Sequence, residues 1–350
     1  MCCAISDIKP QRIKWIDELR AFAILMVLIG HKTENVYLEE VIYSFHVPLF
    51  FWIAGFVFDQ SKYNQFTCIL IKKSKTLLLP YFVFALSSFL FWLVIVRSLS
   101  LRGQAFALNA WLPFWGLFYG IGVDPWRNPM DNALWFLPCL FVTDMYFWCI
   151  NNYFRKIIRP IALILFGIFG YCISIFMPFR LPWSADVAFI AVIFYYFGNI
   201  TKRFNPQIDA TRLAWKFFIM GVLAIAIALL SKANGKVDMN YNYYGNIFLF
   251  FITAFSGIYL SYFTVQMLPH LRIVSYIGKN TIIIVGLAGV SAFIVSGFNY
   301  IVFHNIPSHT KLDFPMTIYY SLLEIGLLIP IIFLINRFIP FITGRQRVNG

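Results

Sequence analysis

Long apolar runs separated by short polar breaks organise this chain from end to end. A helix needs about 20 predominantly apolar residues to cross a bilayer. The pattern predicts ten such helices, at about 15–32, 41–58, 77–96, 134–151, 159–177, 183–200, 213–230, 247–268, 281–303 and 315–336. One further stretch, 105–122 (AFALNAWLPFWGLFYGIG), is apolar and aromatic, but Asn109, Pro113 and several glycines interrupt it. Lysine and arginine positions decide its treatment. With ten spans and the N-terminus inside, 12 Lys/Arg after residue 134 fall inside, and only Arg180, Lys232, Lys236 and Lys311 fall outside. Counting 105–122 as a span would invert that bias. The stretch is therefore expected to lie along the outer surface or to re-enter, with both termini cytoplasmic. No internal repeat is visible. The chain reads as one all-α polytopic membrane domain over 1–350, with a cytoplasmic tail at 1–14 and an extracytoplasmic loop at 99–133.

Composition agrees. The chain is 60% hydrophobic and 12% charged, against about 45–50% and about 25% for soluble domains. No large soluble domain fits. The net charge of +13 reads as positive-inside loops and contact with anionic membrane lipid, with no nucleic acid as partner. Six cysteines show no disulfide framework and no zinc-like spacing: Cys2 and Cys3 at the N-terminus, Cys68 in a loop, and Cys139, Cys149 and Cys172 in apolar runs. No metal site is expected. Residues 1–14 lack the apolar core of a cleavable signal peptide. The expected location is a bacterial inner membrane.

Charged and polar residues inside the spans carry the candidate chemistry, because ionisable groups there are costly and by default mark functional sites. Arg20 and His31 both lie in the first span. Eleven steps of about 100° bring them to one helix face, about 16 Å apart along the axis. Asp17 is three residues before Arg20 and can pair with it. Taken singly, Arg20 suits a snorkelling interfacial arginine and His31 an interfacial cap; the shared face favours a functional pair. In the run FHVPLFFWIAGF (45–56), His46 sits at a depth similar to His31, and Pro48 suits a helix that lines a cavity. His46 reads equally as a proton-sharing partner or as a polar anchor between helices. Gly55 allows close packing. Lys72, Lys73 and Lys75 form a basic cluster before LLLPY, in the first cytoplasmic loop, suited to phosphates or simply to the positive-inside clamp. Glu324 lies halfway along the last span and needs a partner such as Arg20 or a hydroxyl. Asp144 lies inside the fourth span, and Asp186 begins the sixth.

Several of these features together resemble the membrane-bound acyltransferase-3 family. They are the R-x10-H of the first span, FHVPLFFWIAG, basic residues before LLLPY, LWFLP at 134–138, LPWSADVAFIA at 181–191 and IGKNT at 277–281. The nearest branch is fucose 4-O-acetylase-like, with enzymes of surface-polysaccharide pathways. The resemblance implies a ten-helix fold that transfers an acyl group, usually acetyl from acetyl-CoA, to a carbohydrate hydroxyl. His31 matches the family's essential histidine and Arg20 its paired arginine. Lys72 and Lys75 resemble a basic pair that faces the CoA phosphates. Two departures stand out: Ala54-Gly55 replaces a frequent Ser-Gly, and no histidine occurs near Ala288, where many relatives carry one.

The expected site is then His31, Arg20, Asp17 and His46 for catalysis, with Lys72, Lys73 and Lys75 for acyl-CoA. Glu324, Trp135 and Asp186 are expected at the substrate, and the loop 99–133, rich in Trp and Phe, reads equally as an acceptor contact that stacks on sugar faces or as a membrane-surface anchor. Expected partners are a carbohydrate or glycolipid acceptor and acyl-CoA, with a homodimer or glycan-synthesis proteins in addition. A polysaccharide exporter or proton-coupled transporter is the rival reading, since a proline-broken helix and buried Asp, Glu and His also suit transport. A structural partner of a glycan-synthesis complex is a third.

Overall fold

The computed structural model describes residues 13–99, 109–131, 133–209, 212–303 and 311–344. The readings made for Cys2, Cys3, most of the 1–14 tail, residues 100–108 of the 99–133 loop, Arg345 and Arg347 lie outside the described residues.

Twelve helices build the described chain, and no strand occurs among those residues. They are α1 (Lys14–Lys32), α2 (Val36–Val57), α3 (Phe66–Val96), α4 (Trp111–Tyr119), α5 (Phe136–Tyr153) and α6 (Arg159–Phe176). After these come α7 (Ala185–Asp209), α8 (Leu213–Asn234), α9 (Ile247–Met267), α10 (Arg272–Lys279), α11 (Thr281–Phe303) and α12 (Phe314–Phe338). Among the described residues, nine of these are long and apolar enough to cross a membrane: α2, α3, α5 to α9, α11 and α12. The protein is an all-α polytopic membrane protein. α1 falls short on apolarity because its 19 residues include Lys14, Asp17, Glu18, Arg20 and Lys32.

Local chemistry explains where the elements depart from the sequence reading. α2 starts at Val36 rather than 41, because the Asn35 side chain caps it by accepting from the Leu38 N–H at 2.9 Å. α3 starts at Phe66 rather than 77, so Cys68, Lys72, Lys73 and Lys75 are helical and not in a loop. Lysine is a good helix former, and the face carrying Ile69 and Leu77 is buried beside Phe147 and Ile150 of α5. A π-helical segment, Ser74–Leu78, precedes Pro80. It relieves the clash between the proline ring and the carbonyl four residues back. It also changes the register of Lys72 and Lys75 from a simple α-helical turn. The short amphipathic α10 was not anticipated, and α7 runs on to Asp209.

The described part of the interrupted stretch packs against α3. Only α4 is helical in its described part, and it descends beside α3: Phe114 meets Phe89, and Phe118 meets Phe82. The Tyr81 hydroxyl donates to the Leu117 carbonyl at 2.8 Å, and Asn128 Nδ2 donates to the Ala85 carbonyl at 3.0 Å. Tyr81 and Ala85 lie well inside the 31-residue α3. In this turn Leu117, Gly120, Ile121, Gly122, Val123 and Asn128 are buried against the bundle, while Phe118, Asp124 and Pro125 are exposed.

Two glycines set the central packing. A Cβ on Gly55 would sit 1.8 Å from the Tyr195 carbonyl oxygen, and one on Gly198 would sit 2.0 Å from that of Trp52. α2 and α7 thus touch backbone to backbone, which only small residues permit. Around this crossing Phe51, Trp52, Ile53, Ala188, Ala191 and Phe194 are buried.

Candidate active site

The hairpin between α1 and α2 builds the floor of the site. Thr33, fully buried, ends α1, and the chain pairs here with Leu312: Glu34 N–H donates to Leu312 O at 2.8 Å, and Leu312 N–H to Lys32 O at 2.6 Å. At Gly30 a Cβ would lie 2.9 Å from the Ile42 side chain, so the missing side chain lets α1 approach α2. His31 Nδ1 then lies 3.0 Å from the Tyr43 hydroxyl. The Tyr43 ring stands edge-on to both imidazoles, 5.8 Å from His31 and 5.0 Å from His46, centroid to centroid. The buried His46 donates from Nδ1 to the Ile42 carbonyl at 2.7 Å. That bond fixes its neutral tautomer and leaves Nε2 as an acceptor.

Above this floor is a cavity of about 220 Å³. Its remaining lining comes from Trp135, from the loop between α8 and α9 (Lys236, Asp238, Met239, Asn240, Tyr241), and from Glu39, Val47 and Lys311. Lys236 and Lys311 both reach Glu39 Oε1, at 2.9 and 2.7 Å, and Lys236 also lies 4.8 Å from the centre of the Tyr43 ring. Burial pushes the Asp238 carboxyl above its ordinary range, while the Lys236 charge opposes that push.

His31, His46 and Trp135 share this cavity. Arg20 and Asp17 do not line it. Arg20 Nη1 is 3.5 Å from Asp17 Oδ1 near the start of α1, about three turns from His31. Glu324, expected at the substrate, is instead buried against Lys32 at 2.9 Å; its partner is neither Arg20 nor a hydroxyl. Asp186, also expected there, is fully buried and bonded to Arg180, outside the lining. At the opposite end of the bundle the three lysines separate. Lys73 binds the buried Asp144 at 2.8 Å, Lys72 lies 5.5 Å from the Tyr63 ring centre, and Lys75 is exposed. Of the residues that sequence reasoning missed, Tyr43 was the most accessible: it precedes His46 by three and so shares its helix face. Glu39, Lys236, Asp238, Asn240, Tyr241 and Lys311 come together through loop closure, which no local spacing signals.

The arrangement has definite chemical capacity. Two imidazoles and a phenol meet at the floor, where a hydroxyl proton can be accepted. Carboxylates, ammonium groups, an amide and aromatic rings surround them, which suits a polyhydroxylated ligand.

A helical membrane bundle with a histidine-lined cavity at one end defines the class. Residues 13–337 match the family described as acyltransferase domain, acyltransferase-3, and the chain belongs to that family. Comparison with curated proteins and with solved structures finds no significant match. The protein is thus an integral membrane protein of an acyltransferase family.

Proposed function

We propose that this protein is an O-acyltransferase that moves an acyl group, in the first instance acetyl, from cytoplasmic acyl-CoA to a hydroxyl of an extracytoplasmic or lipid-linked carbohydrate. The observation that carries the reading is the placement of His31. It opens into a polar, aromatic cavity while its Nδ1 contacts the Tyr43 hydroxyl. With the proton on Nδ1, His31 donates to Tyr43 and presents a bare Nε2. His31 takes the proton of the acceptor hydroxyl as general base. The hydroxyl oxygen attacks the thioester carbonyl, the C–S bond breaks, and the CoA thiolate leaves and regains a proton. His46 Nε2 offers a second acceptor for a sugar hydroxyl. The positive-inside pattern supports a cavity on the extracytoplasmic side and α3 lysines on the cytoplasmic side. Lys72 and Lys75 are the donor contacts, because Lys73 is already engaged by Asp144. Arg20 orients polar groups of the donor arm as it passes α1.

The test is CoA release from acetyl-CoA by purified protein in lipid, with membrane glycolipid extract as acceptor. Acceptor-dependent release that His31→Ala abolishes supports the proposal. Equal release by the variant overturns it. Charge reversal at Lys72 and Lys75 should weaken CoA binding more than acceptor binding.

A further inference from the structure

Arg180 and Asp186 flank a turn that the structure holds in an unusual shape. Trp183 and Ser184, between them, both take left-handed backbone conformations, with φ of 59° and 50°. Side chains other than glycine seldom adopt these, and such outliers persist only where their surroundings impose them. Here α4 imposes them. The Trp183 indole donates to the Phe118 carbonyl at 2.9 Å, and the Tyr119 hydroxyl donates to the Arg180 carbonyl at 2.7 Å.

The turn brings the Arg180 guanidinium onto Asp186 through two nitrogens. Nε donates to one carboxylate oxygen, and Nη2 donates to the other at 3.3 Å. The remaining nitrogen, Nη1, donates to the backbone carbonyl of Asn240. Asn240 lines the cavity, and its Nδ2 donates to the Gly122 carbonyl at 2.9 Å. One arginine therefore ties the start of α7 to the loop that forms a wall of the cavity. Asp186 is fully buried, so it keeps Arg180 oriented by a bond that water does not contest.

We infer that Arg180 and Asp186 are positioning residues for the acceptor: they hold the 236–241 loop as a rigid wall, and so set the geometry at which a carbohydrate meets His31. The acceptor clause rests on the transferase reading; the clasp itself does not. Planar, two-pronged recognition is specific to arginine, so lysine at 180 keeps the charge and loses the grip on one of its partners.

Hydrogen exchange separates the two claims, because it needs no substrate. In the wild-type protein in lipid, the amides of residues 238–242 should exchange as slowly as those of the first turns of α7, although they lie in a loop. Fast exchange there overturns the clasp without any variant. In Arg180→Lys and Asp186→Asn, exchange over 236–242 should rise, while α2 and α9 stay protected. Unchanged exchange in a folded variant also overturns it. With glycolipid extract as acceptor, the same variants should raise its apparent KM by about tenfold or more, and CoA binding should be unaltered. A rise in exchange with no transfer by the wild type leaves the clasp standing and removes the transferase reading. Wild-type transfer with neither effect in the variants does the reverse. Arg180→Lys, the milder change, serves if Asp186→Asn fails to fold.

Discussion

The hydroxyl of Tyr43 and Nδ1 of His31 lie 3.0 Å apart, one helix presenting its phenol to the last turn of another. The contact orients the imidazole in the cavity. Tyr43→Phe keeps the ring and its packing but removes the partner of Nδ1. Acyl transfer should fall by about tenfold to a hundredfold, in line with loss of an orienting bond to a general base, while the melting temperature changes little. Rates equal to wild type would show that His31 needs no such support.

The Gly55 crossing should tolerate nothing larger. In Gly55→Ala the new Cβ meets the Tyr195 carbonyl at 1.8 Å, a backbone atom that no rotamer change can move. The two helices must separate, at a cost of about 3 kcal/mol or more. Thermal unfolding in detergent reads this directly. An unshifted midpoint would mean that the α2–α7 contact is looser than described.

Lys73 and Asp144 form a pair in which the carboxylate is fully buried and the Tyr195 hydroxyl donates a second bond at 2.6 Å. Removing one charge strands the other. Lys73→Met alone should destabilise by about 3–5 kcal/mol, whereas Lys73→Met with Asp144→Leu should recover much of the loss. Denaturation of the two single variants and the double variant forms the cycle. Additive effects would deny the coupling. Lys75, exposed on the same helix, should be replaceable by methionine without a comparable loss of stability.

Asp131 supplies a pH signature. It lies in the segment before α5, buried, and accepts from the Ala133 N–H at 3.0 Å. Burial pushes its carboxyl up to about 7, against the pull of the N–H groups of Ala133, Gly289 and Leu134. The folded state favours the neutral acid, so this stabilisation is full below the unfolded value near 3.8 and is lost as pH rises through about 7. Asp131→Asn stays neutral throughout. The melting temperature of the wild type relative to that variant should therefore fall between pH 4 and 8. Parallel curves would place the titration elsewhere.

The helical pattern was legible because bilayer length and hydropathy act on runs of residues, and α5, α6, α8, α9, α11 and α12 lie close to the predicted limits. α3 was cut short because Lys72, Lys73 and Lys75 read as a loop, whereas the buried Asp144 draws Lys73 into the bundle. That His31, His46 and Trp135 lie together at one cavity was legible only as far as their positions in apolar runs single them out. Glu324 and Asp186 were read as substrate contacts because a buried carboxylate signals a partner without saying which. Lys32 and Arg180 answer that, and each depends on where a loop returns. The lysines of the rim were visible only as outer-side charges; that Lys236 and Lys311 converge on Glu39 is a property of the closed fold.

The pairing of Thr33 with Leu312 joins the first hairpin to the entry of the last helix, and the cavity draws its lining from residue 31 to residue 311. Such a site has no minimal fragment. A nascent chain holds both histidines from the outset, yet completes the lining around them only once Lys311 has been made. Any shortening from the C-terminal side that removes Lys311 and Leu312 takes one ammonium from Glu39 at the cavity and the backbone partner from the Thr33 turn, however well the earlier helices insert.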